Sequence, residues 1–143
     1  LKLNFVVHLL QNLDLMQNKR EKVHLAYLET FKEFRENGLK MICVPDHIDT
    51  NYHAFWILFE KPQQRELFLK LSTSKFLSPY IGYIPLHSSP MGKRLGGDNF
   101  ELPVTDRVAS SLVRMPFYLM TDEELDFACL TFKEIMTTVL TEI

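Results

Sequence analysis

Two histidines lie at the ends of predicted strands, where proteins often bind ligands. His53 opens an aromatic segment, and His87 directly follows Tyr83-Ile84-Pro85-Leu86. A neutral imidazole can exchange a hydrogen bond with a hydroxyl or phosphate, and a protonated one can meet an anion. Without a ligand, His53 would be a strand-edge histidine bonded to backbone, and His87 a surface-loop histidine. His87 is the stronger candidate because the preceding Pro-Leu step holds it rigidly at a strand end.

Other patterns that carry chemistry are missing from the sequence. There is no G-x-G-x-x-G, no phosphate-loop signature, no G-x-S-x-G and no H-E-x-x-H. The carboxylates from Glu123 to Asp126 stand at a predicted helix start, where they interact favourably with the helix dipole. His8, His24 and His47 have no partner at metal-ligand spacing. We therefore expect no metal ligands.

Composition places the chain among ordinary globular domains. Of its 143 residues, 46% are hydrophobic and 24% charged, which is enough for one buried core. A net charge of −2 gives no basic field for nucleic acid or an anionic membrane. No apolar run approaches the roughly 20 residues of a membrane span, and no signal-peptide pattern begins the chain. We read Cys43 and Cys129 as buried, reduced thiols of a cytoplasmic protein.

The first predicted element is a long helix from about Phe5 to Glu36. Apolar residues recur there at steps of three, four or seven, which is typical of one buried helix face. That face consists of Leu9, Leu13, Met16, Val23, Tyr27, Phe31 and Phe34. Gly38 supplies a stop. Residues 1–38 would thus form a linking helix that packs across something larger than this chain.

The middle of the chain predicts a small, mainly antiparallel sheet. Met41–Val44 is a short apolar run, and Tyr80–Pro85 is extended. His53–Glu60 is nearly continuous in apolar and aromatic residues, which indicates a central strand buried on both faces. His87–Phe100 is a long loop, and long loops in compact domains are often functional.

Helices are predicted between and after these strands. Pro62 suits the first turn of one helix, and Thr105 can cap another. Thr121 and Glu124 form a capping box before a final helix to about Leu140. The sequence therefore predicts one α+β domain over residues 1–143. A long amino-terminal helix and carboxy-terminal helices would pack on the small sheet.

Four segments together resemble a known family. They are Asn51-Tyr52-His53-Ala54-Phe55-Trp56-Ile57, Tyr83-Ile84-Pro85-Leu86-His87-Ser88-Ser89-Pro90-Met91-Gly92, Leu102-Pro103-Val104-Thr105-Asp106 and Leu112-Val113-Arg114-Met115-Pro116-Phe117-Tyr118. They are similar to segments of the DegT/DnrJ/EryC1/StrS sugar aminotransferases, and most similar to those of the dTDP-4-oxo-6-deoxy-D-glucose transaminases. Upstream, Asp14, Arg20 and Tyr27 match the spacing of the family's long helix.

The resemblance implies the small carboxy-terminal domain of a fold-type-I aminotransferase. Such enzymes hold pyridoxal phosphate as a Schiff base on a lysine and move an amino group from L-glutamate to a keto group on a nucleotide-linked sugar. In the family, this lysine and the aspartate at the pyridine nitrogen lie upstream, in the large domain. We therefore expect no catalytic and no cofactor-binding residue in this chain. Tyr83 and His87 are expected to bind the nucleotide sugar.

The resemblance also implies partners. In the complete enzyme the long helix lies between domains, so Phe5, Val6, Leu9 and Leu13 would leave an exposed apolar patch here. The expected partners are the large domain or a full-length aminotransferase subunit, the nucleotide sugar, and a second copy in a homodimer.

Two hypotheses about the whole chain stay open. In the first, the chain is a domain of an aminotransferase whose large domain lies outside this sequence. In the second, it is a non-catalytic truncated paralogue that acts as a binding or interaction module. Departures from the family pattern suit a diverged copy. Gly82 stands where the family usually has histidine, and Ser72–Pro79 is rich in serine and lysine.

Overall fold

The computed structural model describes residues 6–7 and 10–143 and shows the predicted α+β architecture. Helices pack on a small three-stranded antiparallel sheet. In chain order the elements are α1 (Leu13–Phe31), a 3-10 helix (Lys32–Asn37), β1 (Lys40–Met41), β2 (Trp56–Leu58), α2 (Pro62–Ser74), α3 (Pro90–Arg94), a 3-10 turn (Gly97–Asn99), α4 (Pro103–Ser111), β3 (Leu112–Arg114) and α5 (Asp122–Glu142).

The sheet has the order β1-β2-β3, so β2 is central, as predicted. Ile57 pairs with Met41 on one side and with Val113 on the other. Beyond β3, the Tyr80 N–H donates to the Arg114 carbonyl at 3.0 Å, and the Arg114 N–H donates back at 2.8 Å. The predicted extended segment that starts at Tyr80 therefore lies along the free edge of β3.

Burial along β2 alternates instead of being continuous. Phe55, Ile57 and Phe59 are buried, whereas Trp56 and Leu58 are half-buried. The prediction of a strand buried on both faces is wrong. The inner face packs against α1 and α5. The outer face of β2 is only partly covered, so a shallow groove and a smaller pocket reach it.

The core is an aromatic cluster that joins α1, β2 and α5. The Phe55 ring lies 5.4 Å from Tyr27 and 6.2 Å from Phe31, between ring centroids. Phe132 of α5 packs on both α1 rings and stacks on Phe68 of α2 at 5.6 Å. The Tyr27 hydroxyl donates to the Pro116 carbonyl at 2.8 Å, which satisfies its only polar atom inside the core.

The long amino-terminal helix is less regular than predicted. α1 begins only at Leu13, after Asn12, and from Lys32 the chain tightens into a 3-10 helix, as the last turns of helices often do. The predicted stop is confirmed, because Gly38 adopts a left-handed conformation at φ +86°. Val6 and Leu13 are about half exposed, as expected for the apolar patch. Phe5 and Leu9 lie outside the described residues.

The carboxy-terminal helix forms as predicted. The Glu124 N–H donates to Thr121 Oγ1 at 3.2 Å, and the Thr121 N–H donates to Glu124 Oε2 at 2.8 Å, which completes the capping box. Its inner face is buried at Leu125, Phe132, Ile135, Met136 and Val139.

Two smaller expectations are wrong. α4 begins at Pro103, two residues before Thr105, because proline is well suited to a first helical turn. Cys43 is exposed and Cys129 is only half-buried, although both are free thiols.

Phe55 should contribute more to stability than any surface aromatic residue. It is fully buried at the centre of the aromatic cluster. We expect Phe55→Ala to lower the free energy of unfolding by about 3–5 kcal/mol, because it removes a large ring and leaves a cavity. Phe127→Ala is the matched control, since Phe127 is 55% exposed, and it should cost less than about 1 kcal/mol. Urea denaturation measures both, and equal losses would contradict this account of the core.

His24 links stability to pH. It is buried between the rings of Tyr52 and Phe55, and its Nδ1 has no hydrogen-bond partner. Burial lowers the pKa of His24, and the nearby Glu21 carboxylate only partly opposes this shift. The folded state therefore binds a proton less readily than the unfolded state. As pH falls below the ordinary value of about 6.5, unfolding takes up a proton and stability is lost.

We therefore expect the free energy of unfolding to fall between pH 7 and pH 5. His24→Phe, which cannot titrate, should make this slope shallower. Phe127→Ala removes an exposed side chain that does not titrate and should leave the slope unchanged. Denaturation at several pH values measures all three slopes. If His24→Phe kept the wild-type slope, another group would have to carry the pH dependence.

Candidate functional site

The edge segment after Tyr80 places Tyr83 over the outer face of the sheet. Gly82 lies against β3, where an added Cβ would stand 3.2 Å from Leu112 Cδ2 and 3.9 Å from Arg114 Cδ. A larger residue at Gly82 would press on Leu112, whereas its distance to Arg114 is that of an ordinary van der Waals contact. The glycine that departs from the family pattern therefore keeps the space above β3 open.

An apolar groove of about 500 Å³ lies between this segment and α4. It is lined by Trp56, Gly82, Tyr83, Pro85, Val104, Thr105, Val108, Ala109, Leu112 and Arg114. The Arg114 guanidinium lies 5.6 Å from the centroid of the Tyr80 ring and 5.9 Å from that of Tyr83, within the range of cation–π attraction. Within the described part of the chain, Arg114 forms no ion pair. Its charge remains available to an anion that enters the groove.

His87 lines a second, more polar pocket of about 400 Å³. Its Nε2 lies 3.0 Å from Asp106 Oδ1, and its side chain is 13% exposed. Ser88, Lys93 and Glu101 also line this pocket. The Asp106 carboxylate fixes the ring orientation and leaves Nδ1 as the ring nitrogen available to a ligand.

The segment predicted as a long loop contains structure that holds His87. Ser89 caps the short helix α3, and its hydroxyl accepts a hydrogen bond from the Gly92 N–H at 3.0 Å. An added Cβ on Gly92 would stand 1.7 Å from the Leu86 carbonyl oxygen. Only glycine lets α3 approach the backbone beside His87 this closely.

Tyr83 and His87 therefore line neighbouring but separate pockets. α4 forms the wall between them, with Thr105 facing the groove and Asp106 facing the polar pocket. Tyr83 is 81% exposed, whereas the side chain of His87 is only 13% exposed. Sequence reasoning missed Arg114 and Asp106 as site residues, although both lie inside the segments that carried the family resemblance.

Every lysine of the described residues lies at the surface. A lysine that forms a Schiff base is activated by a dry pocket or a neighbouring cation. All lysines from Lys19 to Lys133 are exposed, so none is in such a dry setting. Across residues 6–7 and 10–143, no cluster of side chains could hold a metal ion. In the same residues, no helix combines the length and apolar character needed to cross a membrane.

Comparison with known proteins identifies the family. The profile of the DegT/DnrJ/EryC1/StrS aminotransferase family matches residues 4–132. The chain belongs to this family. No match was found among curated proteins.

Solved aminotransferases share this fold. The aminotransferase TlmJ from Streptoalloteichus hindustanus superimposes with a TM-score of 0.78 at 16% identity, over 90% of this chain and 34% of its own. Spr1654 from Streptococcus pneumoniae, described as a sugar aminotransferase, gives 0.76 at 19% identity, over 94% and 34%. PseC from Helicobacter pylori gives 0.75 at 13%, over 92% and 36%. The chain thus spans about a third of the length of these proteins.

The packing of Gly92 on the backbone beside His87 can be tested directly. We expect Gly92→Ala to displace α3 or the Leu86–His87 backbone and to cost about 1–3 kcal/mol, as overpacking usually does. The amide resonances of His87 and Ser88 should shift strongly in NMR spectra. Met91→Ala is the control, because Met91 is exposed on the same helix. If both variants gave the same small shifts, α3 would not position His87.

Proposed function

We propose that this chain is the carboxy-terminal small domain of a pyridoxal-phosphate-dependent sugar-nucleotide aminotransferase. The complete enzyme would take the amino group from L-glutamate and pass it to a keto sugar of the dTDP-4-oxo-6-deoxy-D-glucose class. One observation carries the proposal. Nine-tenths of the chain superimposes on the aminotransferase TlmJ and on the sugar aminotransferase Spr1654, and it accounts for only about a third of each.

The cofactor follows from the same relatives. Spr1654 has been solved in PLP and PMP forms, and NtdA from Bacillus subtilis with PMP. Pyridoxal phosphate supplies an electron sink for amino transfer. The exposed lysines of this chain do not suit its attachment, so the large domain would hold it. The work left to this chain is to bind and orient the sugar nucleotide.

The groove and the polar pocket would bind different parts of the sugar nucleotide. The Tyr83 ring and the apolar wall of α4 suit the flat, weakly polar faces of a sugar or base. Arg114 can meet a phosphate with two parallel hydrogen bonds, since its planar guanidinium matches that geometry. His87 can bond a hydroxyl or phosphate oxygen through Nδ1, while Asp106 holds Nε2. These roles are positional, because proton transfer in the family belongs to the lysine.

The test uses the complete polypeptide encoded by the gene that contains this chain. We expect it to aminate a nucleotide-linked 4-keto sugar with L-glutamate and pyridoxal phosphate. His87→Ala should raise KM more than it lowers kcat, because a positioning contact stabilises substrate and transition state alike. His47→Ala is the matched control, since His47 is exposed and lines neither site pocket.

Two outcomes would contradict the proposal. Equal falls in kcat and kcat/KM for His87→Ala would give His87 a transition-state role. A reading frame that starts at or just before Leu1 would favour the truncated, non-catalytic binding module instead.

Measured alone, the 143-residue chain should not bind pyridoxal phosphate covalently. A cofactor absorbance that resists dialysis and is lost on borohydride reduction would show that it does.

A further inference from the structure

A third, smaller pocket lies at the other end of α4. It has a volume of about 200 Å³, the space of roughly seven water molecules at about 30 Å³ each. Its lining is Gly38, Lys40, Leu58, Phe59, Glu60, Arg107 and Ser111. None of these residues lines the groove or the polar pocket described above. The proposed aminotransferase site therefore leaves this pocket unexplained.

The charged groups around this pocket are unpaired. Lys40 and Arg107 bring two positive charges and Glu60 one negative charge, and none of the three forms an ion pair within the described part of the chain. An added Cβ on Gly38 would stand 3.0 Å from Glu60 Oε2, so the carboxylate lies directly against the glycine. The pocket lining thus carries two positive charges and one negative charge, a net charge of +1.

A buried hydroxyl also lacks a partner here. Ser111 is 1% exposed, and its Oγ has no hydrogen bond. Leaving a buried polar atom unpaired costs about 1–3 kcal/mol, so such an atom calls for an explanation. The backbone of Ser111 is held in position, because the Phe59 N–H donates to the Ser111 carbonyl at 3.1 Å. A change of rotamer would turn the hydroxyl to a ligand without moving that backbone.

We propose that this pocket binds a small carboxylic acid that also carries a hydroxyl or amino group. Arg107 and Lys40 bind the carboxylate groups, for which a guanidinium offers two parallel donors. Glu60 accepts a hydrogen bond from the hydroxyl or ammonium group of the ligand. An anion without a donor, such as sulfate, would face repulsion from Glu60. The volume limits the ligand to the size of a four-carbon acid.

The experiment titrates the 143-residue chain with L-malate and follows backbone amide resonances by NMR. L-Malate carries two carboxylates and one hydroxyl. We expect saturable shifts at Lys40, Leu58 to Glu60 and Ser111. Succinate, which lacks the hydroxyl, should bind at least about tenfold more weakly, a difference of about 1.4 kcal/mol. Sulfate, an anion that has no hydrogen-bond donor, should not produce the same saturable shifts.

Variants separate this site from general electrostatic attraction. Arg107→Gln and Lys40→Gln should each weaken L-malate binding at least about tenfold, whereas Arg94→Gln and Lys75→Gln remove exposed cations elsewhere and should not. Ser111→Ala should weaken binding while leaving the fold at least as stable, because it removes an unpaired buried hydroxyl. A purely structural Ser111 would leave binding unchanged.

The Glu60→Gln variant tests whether the Glu60 carboxylate accepts a hydrogen bond from the ligand. The proposal requires weaker L-malate binding in this variant, because the charged acceptor is lost. Stronger binding of L-malate and sulfate alike would show a simple anion site and overturn the proposal. Shifts that do not saturate, or that all variants share equally, would overturn it as well.

Discussion

The packing of Phe55 between α1 and α5 is the interaction on which the rest of this structure depends. Side chains alternate along a strand, so a buried Phe55 fixes Ile57 and Phe59 on the inner face and Trp56 and Leu58 on the outer face. A shift of one residue would move the aromatic cluster into solvent and Trp56 into the core. Ile57 pairs with Met41 of β1 and with Val113 of β3, so the register of both neighbouring strands follows from that of β2. The positions of Arg114 and of the Tyr80 segment follow from it.

The outer face of the sheet carries the candidate sites because one short helix only partly covers it. α4 runs over this face and leads directly into β3, so its side chains form walls on several sides. One side borders the apolar groove, another the pocket of His87, and its carboxyl end the small charged pocket. A single element of nine residues thereby sets three different chemical environments. Their differences arise from which α4 residues face each one.

Local patterns in the sequence predicted most of the fold. The spacing of Val23, Tyr27 and Phe31, the capping box at Thr121 and the stop at Gly38 all act within a few residues, and each formed as expected. The features that could not be predicted depend on distant parts of the chain. The half-exposure of Trp56 depends on how completely α4 covers it, and the pairing of His87 with Asp106 joins residues 19 positions apart. Arg114 lines the groove because the distant Tyr80 pairs with it at the edge of β3.

The exposure of the site residues adds a physical constraint to the proposed function. Electrostatic contacts are strong when water is excluded, and they are weak in open solvent. Tyr83 is 81% exposed, and the nearby Ile84, Leu86, Leu95 and Phe100 are each more than 60% exposed. A soluble surface rarely keeps so many apolar side chains bare around a binding groove. Under the proposed function, the groove would therefore need a second, largely apolar surface that covers it and excludes water from the guanidinium of Arg114.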